Sequence, residues 1–435
     1  MARKKSRPIN PRSGIPLTRD EYRQLKRQKE REDRRRRQEA WEAARGPMDM
    51  PFLMLALMLL GIGLIMLLSA SFPSAQSSAN LKNDALYFFK RQGVFAVGGI
   101  GLTLWVSKIN YERFRGLASL ALYGSLALLV LVIIPGPNKY GRLLALGENG
   151  AARWLGLPGT PFTFQPSEVA KLGIIMYFAE SISRKREKMK SFREGFLPHI
   201  IPLAAMVVLT LIEPHFSGAV LILGIGAAMM VVGGIHWGWI ACGAGGLGLG
   251  AYLLFFTEVI DNVFKAINYN ASRLMVWRDP FGGDLEFRRN QAWQTIQSLY
   301  AIGSGGLLGV GLGKSRQKFG YLPEAQNDYI FAVVLEELGL VGGALIMVLF
   351  ALLIIRGYWL AIHARDRFGS LLAVGVTTQI ALQTFLNIAV VTNFMPSTGI
   401  SLPFFSYGGT ALLIQMVEVG IVLSVSRQIP APKAR

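Results

Sequence analysis

The first candidates for chemistry in this sequence are charged side chains inside apolar segments. Glu168 and Lys171 lie three residues apart in such a segment, so a helix would place them on one face, where they can form an ion pair. Charges are costly to bury among apolar residues and are therefore functional candidates by default. The spacing alone supports two interpretations equally: an ion pair that stabilises a helix bundle, or a pair that acts on a ligand.

Three more carboxylates raise the same question. Glu336 and Glu337 lie in a second apolar segment and Glu418 in a third. Lys171 can neutralise only one carboxylate, and an uncompensated charge among apolar groups is very unfavourable. We therefore predict an internal polar cavity or further cationic contacts for these residues.

Asp328 lies where a long polar segment meets the apolar segment that holds Glu336. Aspartate is a preferred helix N-cap, because its carboxylate accepts hydrogen bonds from unpaired amides of the first turn, so capping is the more ordinary interpretation. The alternative is a general base at the membrane surface, close to the head group of a lipid-linked substrate. Glu324 is a competing candidate for that role.

A glycine-rich run over residues 303–313 resembles a phosphate-binding loop in composition, but it lacks the spacing of the P-loop motif. Glycine permits tight turns and the close approach of a backbone to a ligand. We therefore interpret this run as a set of turns or as a segment that approaches a lipid head group.

The elements that must position these residues are predicted to be transmembrane helices. The chain has 435 residues, of which 51% are hydrophobic and 17% charged, and its mean hydropathy is +0.37. A helix of about 20 apolar residues covers the roughly 30 Å hydrocarbon core of a bilayer, so the sequence predicts an all-α polytopic membrane protein with about ten transmembrane helices. Their approximate cores are 51–71, 92–107, 116–135, 166–183, 196–212, 216–235, 237–257, 329–355, 369–391 and 402–425.

The fifth and sixth of these segments are separated only by Glu213, Pro214 and His215. We predict two helices here, because a proline interrupts the hydrogen bonds of a helix. If the two segments formed a single helix, every later loop would lie on the opposite side of the membrane.

The side on which each loop lies is predicted from its positive charge. Residues 1–50 hold 16 Lys or Arg residues and 8 Asp or Glu residues, which is typical of a cytoplasmic tail beside anionic lipids. The short loops on the same side as this tail are also richer in Lys and Arg than those on the other side, so both termini are predicted to be cytoplasmic. The large loop between helices 7 and 8, residues 258–327, is then extracellular.

The predicted organisation has three parts. Residues 1–50 form a basic cytoplasmic tail that is a solvated helix or disordered, residues 51–428 form the transmembrane domain, and residues 429–435 form a second cytoplasmic tail. The extracellular loop mixes Trp and Phe with Arg and Lys, which favours amphipathic segments in the head-group region. The alternative is a folded lid that only covers the helix ends.

The net charge of +19 also raises the question of nucleic-acid binding. The basic tail has no pattern of interleaved aromatic residues, and the sequence has no nucleic-acid fold motif, so we predict no nucleic-acid partner. Cys242 is the only cysteine, which excludes disulfides within the chain and a metal site built from several cysteines.

Five segments resemble the signature of the SEDS family of bacterial cell-wall glycosyltransferases. They are Ala152–Gly156, Phe164–Leu172, Gln297–Gly306, Gly313–Ala325 with Asp328–Ala332, and Met395–Gly409. Together with the helix pattern, the resemblance covers residues 51–428. The Gln-Lys-x-x-Tyr-Leu-Pro-Glu-Ala form at residues 317–325 is more similar to the division and sporulation branch of the family than to its elongation branch.

This resemblance implies a peptidoglycan glycosyltransferase that polymerises lipid II at the outer face of the cytoplasmic (inner) membrane, for septal or spore cell-wall synthesis. It also implies a class B penicillin-binding protein as the transpeptidase partner, together with other divisome components and membrane lipids. A lipid II flippase or transporter is the alternative, since a bundle of about ten helices with buried charges suits transport equally well.

Residue by residue, the resemblance assigns the catalytic aspartate to Asp328. The predicted substrate-binding residues are Arg153, Trp154, Glu168, Lys171, Lys318, Glu324 and Ser406. His215 stands where many members have an aspartate, so no role is carried over to it.

The implied reaction is an inverting transfer that needs one base and positive charge. Asp328 would remove the proton of the acceptor hydroxyl, and Arg153 and Lys171 would lie near the leaving pyrophosphate. The sequence specifies no fixed metal site, but a divalent cation such as Mg²⁺ or Mn²⁺ would also supply that charge.

Overall fold

The computed structural model describes residues 46–134, 145–148, 151–156, 163–213, 215–239 and 272–429, with isolated positions at 24, 28, 32, 241, 243 and 245. The contacts divide the chain into two units, of which Met48–Ile429 is the larger. The smaller unit, Met1–Pro47 with Pro430–Arg435, lies almost wholly outside the described residues. The predictions for the two tails, 1–50 and 429–435, therefore stay predictions.

The larger unit is built mainly from helices, as the sequence predicts. In chain order they are α1 (Met50–Ser77), α2 (Tyr87–Val106), α3 (Glu112–Ile133), α4 (Pro166–Lys185), α5 (Leu197–Ile212), α6 (Phe216–Val232), α7 (Ser272–Arg278), α8 (Leu285–Asn290), α9 (Trp293–Gly305), α10 (Ile330–Ile362), α11 (Arg367–Val391) and α12 (Gly409–Ser426). Each predicted apolar segment coincides with one of these helices except the seventh, 237–257, most of which lies outside the described residues. Within the described chain, six helices are long and apolar enough to cross a membrane. The total of about ten spans stays a prediction.

Two of the long helices begin at aspartates that cap them. Asp49 accepts a hydrogen bond from the amide of Phe52 at 2.9 Å and precedes α1, which has a proline in its first turn, where the missing N–H of proline costs nothing. The Asp49 carboxylate also pairs with Arg356 of α10, which ties together two helices that are distant in sequence. Asp366 caps α11 through the amide of Gly369.

The segment that separates the fifth and sixth predicted helices does end one helix and start another. The amide of Glu213 donates to the carbonyl of Leu209 at 3.2 Å, which closes the last turn of α5, and α6 begins at Phe216. The prediction of two helices here is confirmed.

The sequence does not predict the small antiparallel sheet that the structure contains. Its strands, in spatial order, are β1 (Ala145–Glu148), β2 (Ala151–Gly156) and β3 (Thr163–Phe164). Leu146 pairs with Trp154 and Gly147 pairs with Ala152, so Arg153 is the extra residue of a β-bulge. A bulge leaves its extra residue out of the ladder and redirects the side chain, a device that is common beside active sites.

Helices α4, α11 and α12 form the interior of the bundle. Their apolar residues, such as Ile174, Val376 and Met416, are fully buried, whereas the outer helices expose large apolar residues. Exposed apolar faces on helices of this length suit contact with lipid chains. The interior helices also carry the buried ionisable residues Glu168 and Glu418.

Helix α10 is interrupted at Gly339, where φ is 70° and ψ is −173°. An interrupted helix frees backbone groups, which must find other partners if they are buried. Residues 306–311 supply such partners; for example, the amide of Val310 donates to the carbonyl of Glu336 at 2.9 Å. The glycine-rich run 303–313 thus begins with the last turn of α9 and continues as turns that fill a break in a helix.

The described part of the predicted extracellular loop, residues 272–327, is folded onto the helix ends. The hydroxyl of Ser298 in α9 donates to the carbonyl of Val391 at 2.8 Å, and the indole of Trp277 in α7 donates to the carbonyl of Phe394 at 3.1 Å. This packing is what the lid interpretation expects. The insertion of its apolar residues among lipid head groups stays a prediction.

Candidate functional site

Asp328 is not a helix cap, so the more ordinary of its two interpretations is wrong. Helix α10 begins at Ile330, and its N-cap position is Tyr329, with no side-chain capping bond. The Asp328 carboxylate lies instead against Gly399, where an added Cβ would stand 2.9 Å from Oδ2. Among the residues that the structure describes, this carboxylate accepts no hydrogen bond, so its lone pairs are available to a ligand.

The backbone around Asp328 is held from two sides. The side-chain amide of Asn387 in α11 donates to the carbonyl of Asp328 at 2.8 Å and to that of Ile400 at 2.6 Å. The Ser406 hydroxyl donates to the carbonyl of Asn327 at 2.7 Å. These bonds fix the position of the main chain while leaving the Asp328 side chain unoccupied.

Two arginines from different parts of the chain act on the Asp328 carboxylate. Arg153 comes from the bulge in β2, and Arg273 comes from α7, where its Nη1 donates to the carbonyl of Ser397 at 3.1 Å. Burial raises the pKa of Asp328, and the positive charges of Arg153 and Arg273 oppose that rise. The carboxylate is thus a stronger base than an exposed aspartate, and positive charge lies beside it.

Burial and the positive charge of Arg273 both disfavour the charged form of Arg153. Its pKa is lowered first by burial and then by Arg273, while Asp328 and Glu213 oppose the shift. Its buried Nε has no hydrogen-bond partner among the described residues. An anionic ligand would relieve both the repulsion between the two guanidinium groups and the unpaired donor.

The positive charges of Arg153 and Lys171 both act on His215. Burial, followed by the charges of Arg153 and Lys171, lowers the pKa of His215 to about 3, so its ring is neutral at physiological pH. Each ring nitrogen lies 3.4 Å from the side-chain amide of Gln165. A neutral ring at this position adds no negative charge beside Arg153 and Lys171, whereas an aspartate there would.

The predicted ion pair of α4 is confirmed. Nζ of Lys171 lies 2.9 Å from Oε1 of Glu168, and the Lys171 side chain is 1% exposed. Glu168 also borders a cavity of about 30 Å³, which is room for about two water molecules. The cavity is lined by polar residues of α11 and α12 and by the segment before α12, including Gln379, Gln383, Ser401, Ser406 and Gln415.

The carboxylates that Lys171 cannot neutralise find other partners, as predicted. Glu418 accepts a hydrogen bond from Gln379 at 2.8 Å. Glu337 pairs with Lys318 at 2.7 Å, so the further cationic contact comes from the loop that precedes α10. Both a polar cavity and a second cation are therefore present.

Apart from the ion pair of α4, the predicted substrate-binding residues fall into two groups: those beside the Asp328 carboxylate and those that bond to the loop before α10. Arg153 approaches Asp328, and Trp154 lies beside it in β2, half-buried. The Glu324 carboxylate is engaged within its own loop, where it accepts from Asn327 at 2.7 Å. Two others also act on the loop: Ser406 through its bond to Asn327, and Lys318 through Glu337.

Sequence reasoning missed Arg273 and Glu213 as members of the site. Arg273 appears in the sequence only as one of several cations in the extracellular loop, and nothing in its spacing distinguishes it. Glu213 is visible as a carboxylate at a helix end, next to His215 where the family pattern departs. Only the folded arrangement brings both into the electrostatic environment of Arg153.

The described residues do not fit a metal centre held by the protein. Among them, no group of three or more His, Cys, Asp or Glu side chains could hold a metal ion. The charged groups that act on Asp328 are the guanidinium groups of Arg153 and Arg273, which repel a cation. The predicted divalent cation would therefore have to arrive with its pyrophosphate ligand.

Comparison with known proteins places this geometry in context. A family model described as "Cell cycle protein", covering FtsW, RodA and SpoVE, matches residues 50–430. The probable peptidoglycan glycosyltransferase FtsW of Geobacter sulfurreducens is 38% identical over 382 residues, which cover 88% of this chain and 95% of that protein. Stage V sporulation protein E of Bacillus subtilis is also 38% identical over 382 residues, which cover 87% of this chain and 97% of that protein.

Two solved structures share the fold. One belongs to work on the structural coordination of polymerization and crosslinking by a peptidoglycan synthase complex; it is 26% identical, has a TM-score of 0.69, and the match covers 87% of this chain and 98% of that one. The rod shape determining protein RodA of Thermus thermophilus is 24% identical with a TM-score of 0.59, over 88% of this chain and 98% of that one. The second likeness concerns the fold alone.

Proposed function

Because this chain belongs to the FtsW/RodA/SpoVE family and is an integral membrane protein, we propose that it is a peptidoglycan glycosyltransferase that polymerises lipid II. Relatives that match nearly the whole chain carry the name peptidoglycan glycosyltransferase. The division relative FtsW and the sporulation relative are both 38% identical, so the proposed role is septal or spore cell-wall synthesis.

The observation that carries this proposal is the state of Asp328. Its carboxylate accepts no hydrogen bond from the described residues, its pKa is raised by burial, and Arg153 and Arg273 lie in its electrostatic environment. An unoccupied carboxylate of raised pKa suits a general base, whose best pKa is near the working pH. The neighbouring guanidinium groups suit the phosphates of a lipid-linked sugar.

The proposed reaction is a single in-line displacement. The hydroxyl oxygen of the acceptor sugar attacks the anomeric carbon of the donor, and the bond from that carbon to the pyrophosphate oxygen breaks. The hydroxyl proton passes to the carboxylate of Asp328. The polyprenyl pyrophosphate leaves as a stable anion, so no general acid is required, in contrast to inverting glycosidases, whose leaving group must be protonated.

Positive charge at the leaving group comes from the protein in this proposal. Before substrate binds, Lys171 is held by burial and by Glu168, Arg273 by the carbonyl of Ser397, and the backbone of Arg153 by the β-bulge. Such preorganised charge costs no rearrangement at the moment of reaction and acts strongly where water is scarce. Trp154 would provide an apolar surface beside Arg153 for the sugar or the first isoprene units.

The proposed location of the site is the outer face of the cytoplasmic membrane, with both termini in the cytoplasm. The excess of Lys and Arg in the opposite loops supports this orientation. The solved relative with a TM-score of 0.69 comes from a complex that couples polymerization and crosslinking. A class B penicillin-binding protein is accordingly the proposed partner of this chain, within the divisome.

The test is polymerisation by purified protein in detergent, with lipid II as the only substrate and with or without the partner transpeptidase. We expect glycan strands from the unaltered protein and none from Asp328→Asn at equal folded concentration. A flippase has no measurable activity in detergent, because no compartments exist there. Translocation of lipid II in sealed vesicles without any polymer in detergent would replace the proposed function with transport.

A further inference from the structure

A second group of buried charges lies at the break in α10, and the proposed chemistry does not use it. This Lys318 cluster consists of Lys318, Glu336, Glu337, Ser69 and Ser315. Nζ of Lys318 lies 2.7 Å from Oε1 of Glu337, and the two side chains are 3% and 0% exposed. So deep an ion pair persists only when its geometry and its other hydrogen bonds are well satisfied.

Every donor of the Lys318 ammonium group is used within the protein. An ammonium group has three N–H donors, and their acceptors are Glu337 at 2.7 Å, the Ser69 hydroxyl at 2.9 Å and the carbonyl of Gly313 at 2.8 Å. A substrate could bind Lys318 only by displacing one of these groups. The arrangement therefore favours a role for Lys318 in holding the protein rather than the substrate.

The two glutamates bind the loop through its backbone as well. Glu336 accepts from the hydroxyl of Ser315 at 2.5 Å and from the amide of Arg316 at 2.8 Å. Glu337 accepts from the amide of Ser315 at 3.3 Å. The segment 315–318 is thus attached to the end of the first part of α10.

This attachment closes a ring of chain that contains Asp328. Lys318 and Glu337 are 19 residues apart, and Asp328 lies near the middle of that interval. One half of the ring is the first part of α10, a rigid rod that spans roughly 10 Å at about 1.5 Å per residue. The other half is the loop, which the amide of Leu322 and the indole of Trp293 hold through further hydrogen bonds at 2.8 and 2.7 Å.

The cluster also coincides with the break in the helix. The amide of Gly311 donates to the carbonyl of Glu337 at 3.0 Å, and the amide of Leu340 donates to the carbonyl of Gly306 at 2.9 Å. A Cβ at Gly309 would stand 2.2 Å from the carbonyl oxygen of Glu337, so the two segments pack backbone against backbone. Opening the ion pair would therefore loosen the ring at the point where the loop joins α10.

We propose that the Lys318–Glu337 ion pair is a positioning element for glycan polymerisation, and this inference rests on the proposed function. By closing the ring, the pair sets the distance between the Asp328 carboxylate and the acceptor hydroxyl. Ser69 makes α1 part of the same assembly, because its hydroxyl donates to Glu337 at 2.7 Å and accepts from Lys318. Lys318 is thus a positioning residue that never touches lipid II.

The experiment compares turnover, KM for lipid II and melting temperature in three variants. Lys318→Met removes the charge and should lower kcat by about 10²-fold, the loss expected when a reacting group moves by roughly 1 Å. KM should stay nearly constant. Lys318→Arg keeps the charge and the ring, and should recover most of kcat.

The third variant distinguishes an effect on the position of Asp328 from an effect on the stability of the protein. Lys318→Met with Glu337→Met replaces the whole pair by apolar side chains, a change that often leaves stability unaltered or raised. We expect a melting temperature near that of the unaltered protein, with kcat still reduced by about 10²-fold. A return of kcat together with the melting temperature would reduce the pair to a purely structural role and overturn the inference.

Arg356→Gln provides the matched control. Arg356 lies in α10, like Glu337, and the substitution opens its ion pair with Asp49, which is outside the ring that holds Asp328. It should lower the melting temperature and leave kcat unchanged. A raised KM with unchanged kcat in Lys318→Met would mean direct substrate binding, which also overturns the inference. If the unaltered protein polymerises and Asp328→Asn does not, the proposed function stands whatever the Lys318 variants do; if the unaltered protein makes no glycan, both fall.

Discussion

The charged residues around Asp328 and those around Glu337 belong to one continuous stretch of chain, yet their bonding is opposite. Around Glu337 the Lys318 ammonium group has three acceptors, and the two glutamates share hydroxyl and amide donors. Around Asp328 the carboxylate has no hydrogen bond from the described residues, and Nε of Arg153 has none either. Two carboxylates of the same loop–helix junction thus have different tasks.

The difference shows that the number of hydrogen bonds a buried polar group already makes within the protein distinguishes structural residues from residues that bind a ligand. A buried polar group whose bonds are complete contributes to a unique fold, and adding a ligand would cost one of those bonds. A buried polar group left incomplete is unfavourable until a ligand or water binds it. By this criterion Lys318 supports the site and Arg153 belongs to it, although the sequence motifs place both among the substrate-binding residues.

The largest expected effect tests which carboxylate is the base. Asp328→Asn should lower polymerisation by about 10²- to 10⁴-fold, the usual contribution of a general base. Glu324→Gln should cost far less, because the Glu324 carboxylate already accepts from Asn327 and Gln326 at 2.7 and 3.2 Å. Initial rates with lipid II at equal protein concentration measure both. A greater loss in Glu324→Gln would assign the base to Glu324.

The second prediction concerns stability and sets the two clusters directly against each other. Lys318→Met leaves the buried Glu337 without its cation and should lower the free energy of unfolding by about 3–5 kcal/mol. Arg153→Met removes an unpaired donor and the repulsion with Arg273 together with the attraction to Asp328 and Glu213, so these effects offset each other and stability should change far less. Unfolding in detergent, followed by tryptophan fluorescence, measures the difference. Equal losses in both variants would erase the contrast between the clusters.

The third prediction concerns positive charge at the leaving group. Arg153→Gln should lower kcat by about 10²- to 10³-fold, which is the usual loss when one preorganised donor to a developing anion is removed. Arg153→Lys should recover part of that loss, because it keeps the charge without the planar guanidinium fork. Steady-state rates at saturating lipid II are the measurement. A glutamine variant as active as the lysine variant would argue against any role for charge at this position.

The smallest expected effect is a shift in pH dependence. The base works only when Asp328 is ionised, so kcat/KM should fall as pH drops through the pKa of Asp328, which burial raises. Arg273 favours the ionised form, so Arg273→Gln should raise the pKa of Asp328 further and move the acid limb to higher pH. Arg316→Gln, which removes an exposed cation beside the Lys318 cluster, is the control and should leave the limb in place. A limb that moves to lower pH in Arg273→Gln would contradict the assignment.

The features that the sequence predicts correctly are those that depend on local spacing. Apolar runs of spanning length locate the helices, and the three-residue spacing of Glu168 and Lys171 predicts their ion pair. The proline after Glu213 predicts the break between α5 and α6. The need for a polar cavity or further cationic contacts around Glu336, Glu337 and Glu418 also follows, because an unpaired buried carboxylate is so unfavourable.

The features that the sequence does not predict depend on packing between distant segments. The capping interpretation of Asp328 fails because the first turn of α10 starts two residues later, and local preference cannot fix that boundary. Arg273 reaches the site only through the packing of α7 on the segment around Ser397. The identity of Lys318 as the partner of Glu337 depends in turn on the break at Gly339, which no periodicity reveals.

The bulge at Arg153 makes the length of the β1–β2 hairpin as important as its composition. Because successive residues of a strand point to opposite faces, deleting one residue from β2 would restore a regular ladder and turn the next side chain to the other face. A single-residue insertion or deletion between β1 and Arg153 would therefore change the direction of the Arg153 side chain. Anyone who engineers this enzyme should therefore keep the number of residues between β1 and Arg153 unchanged.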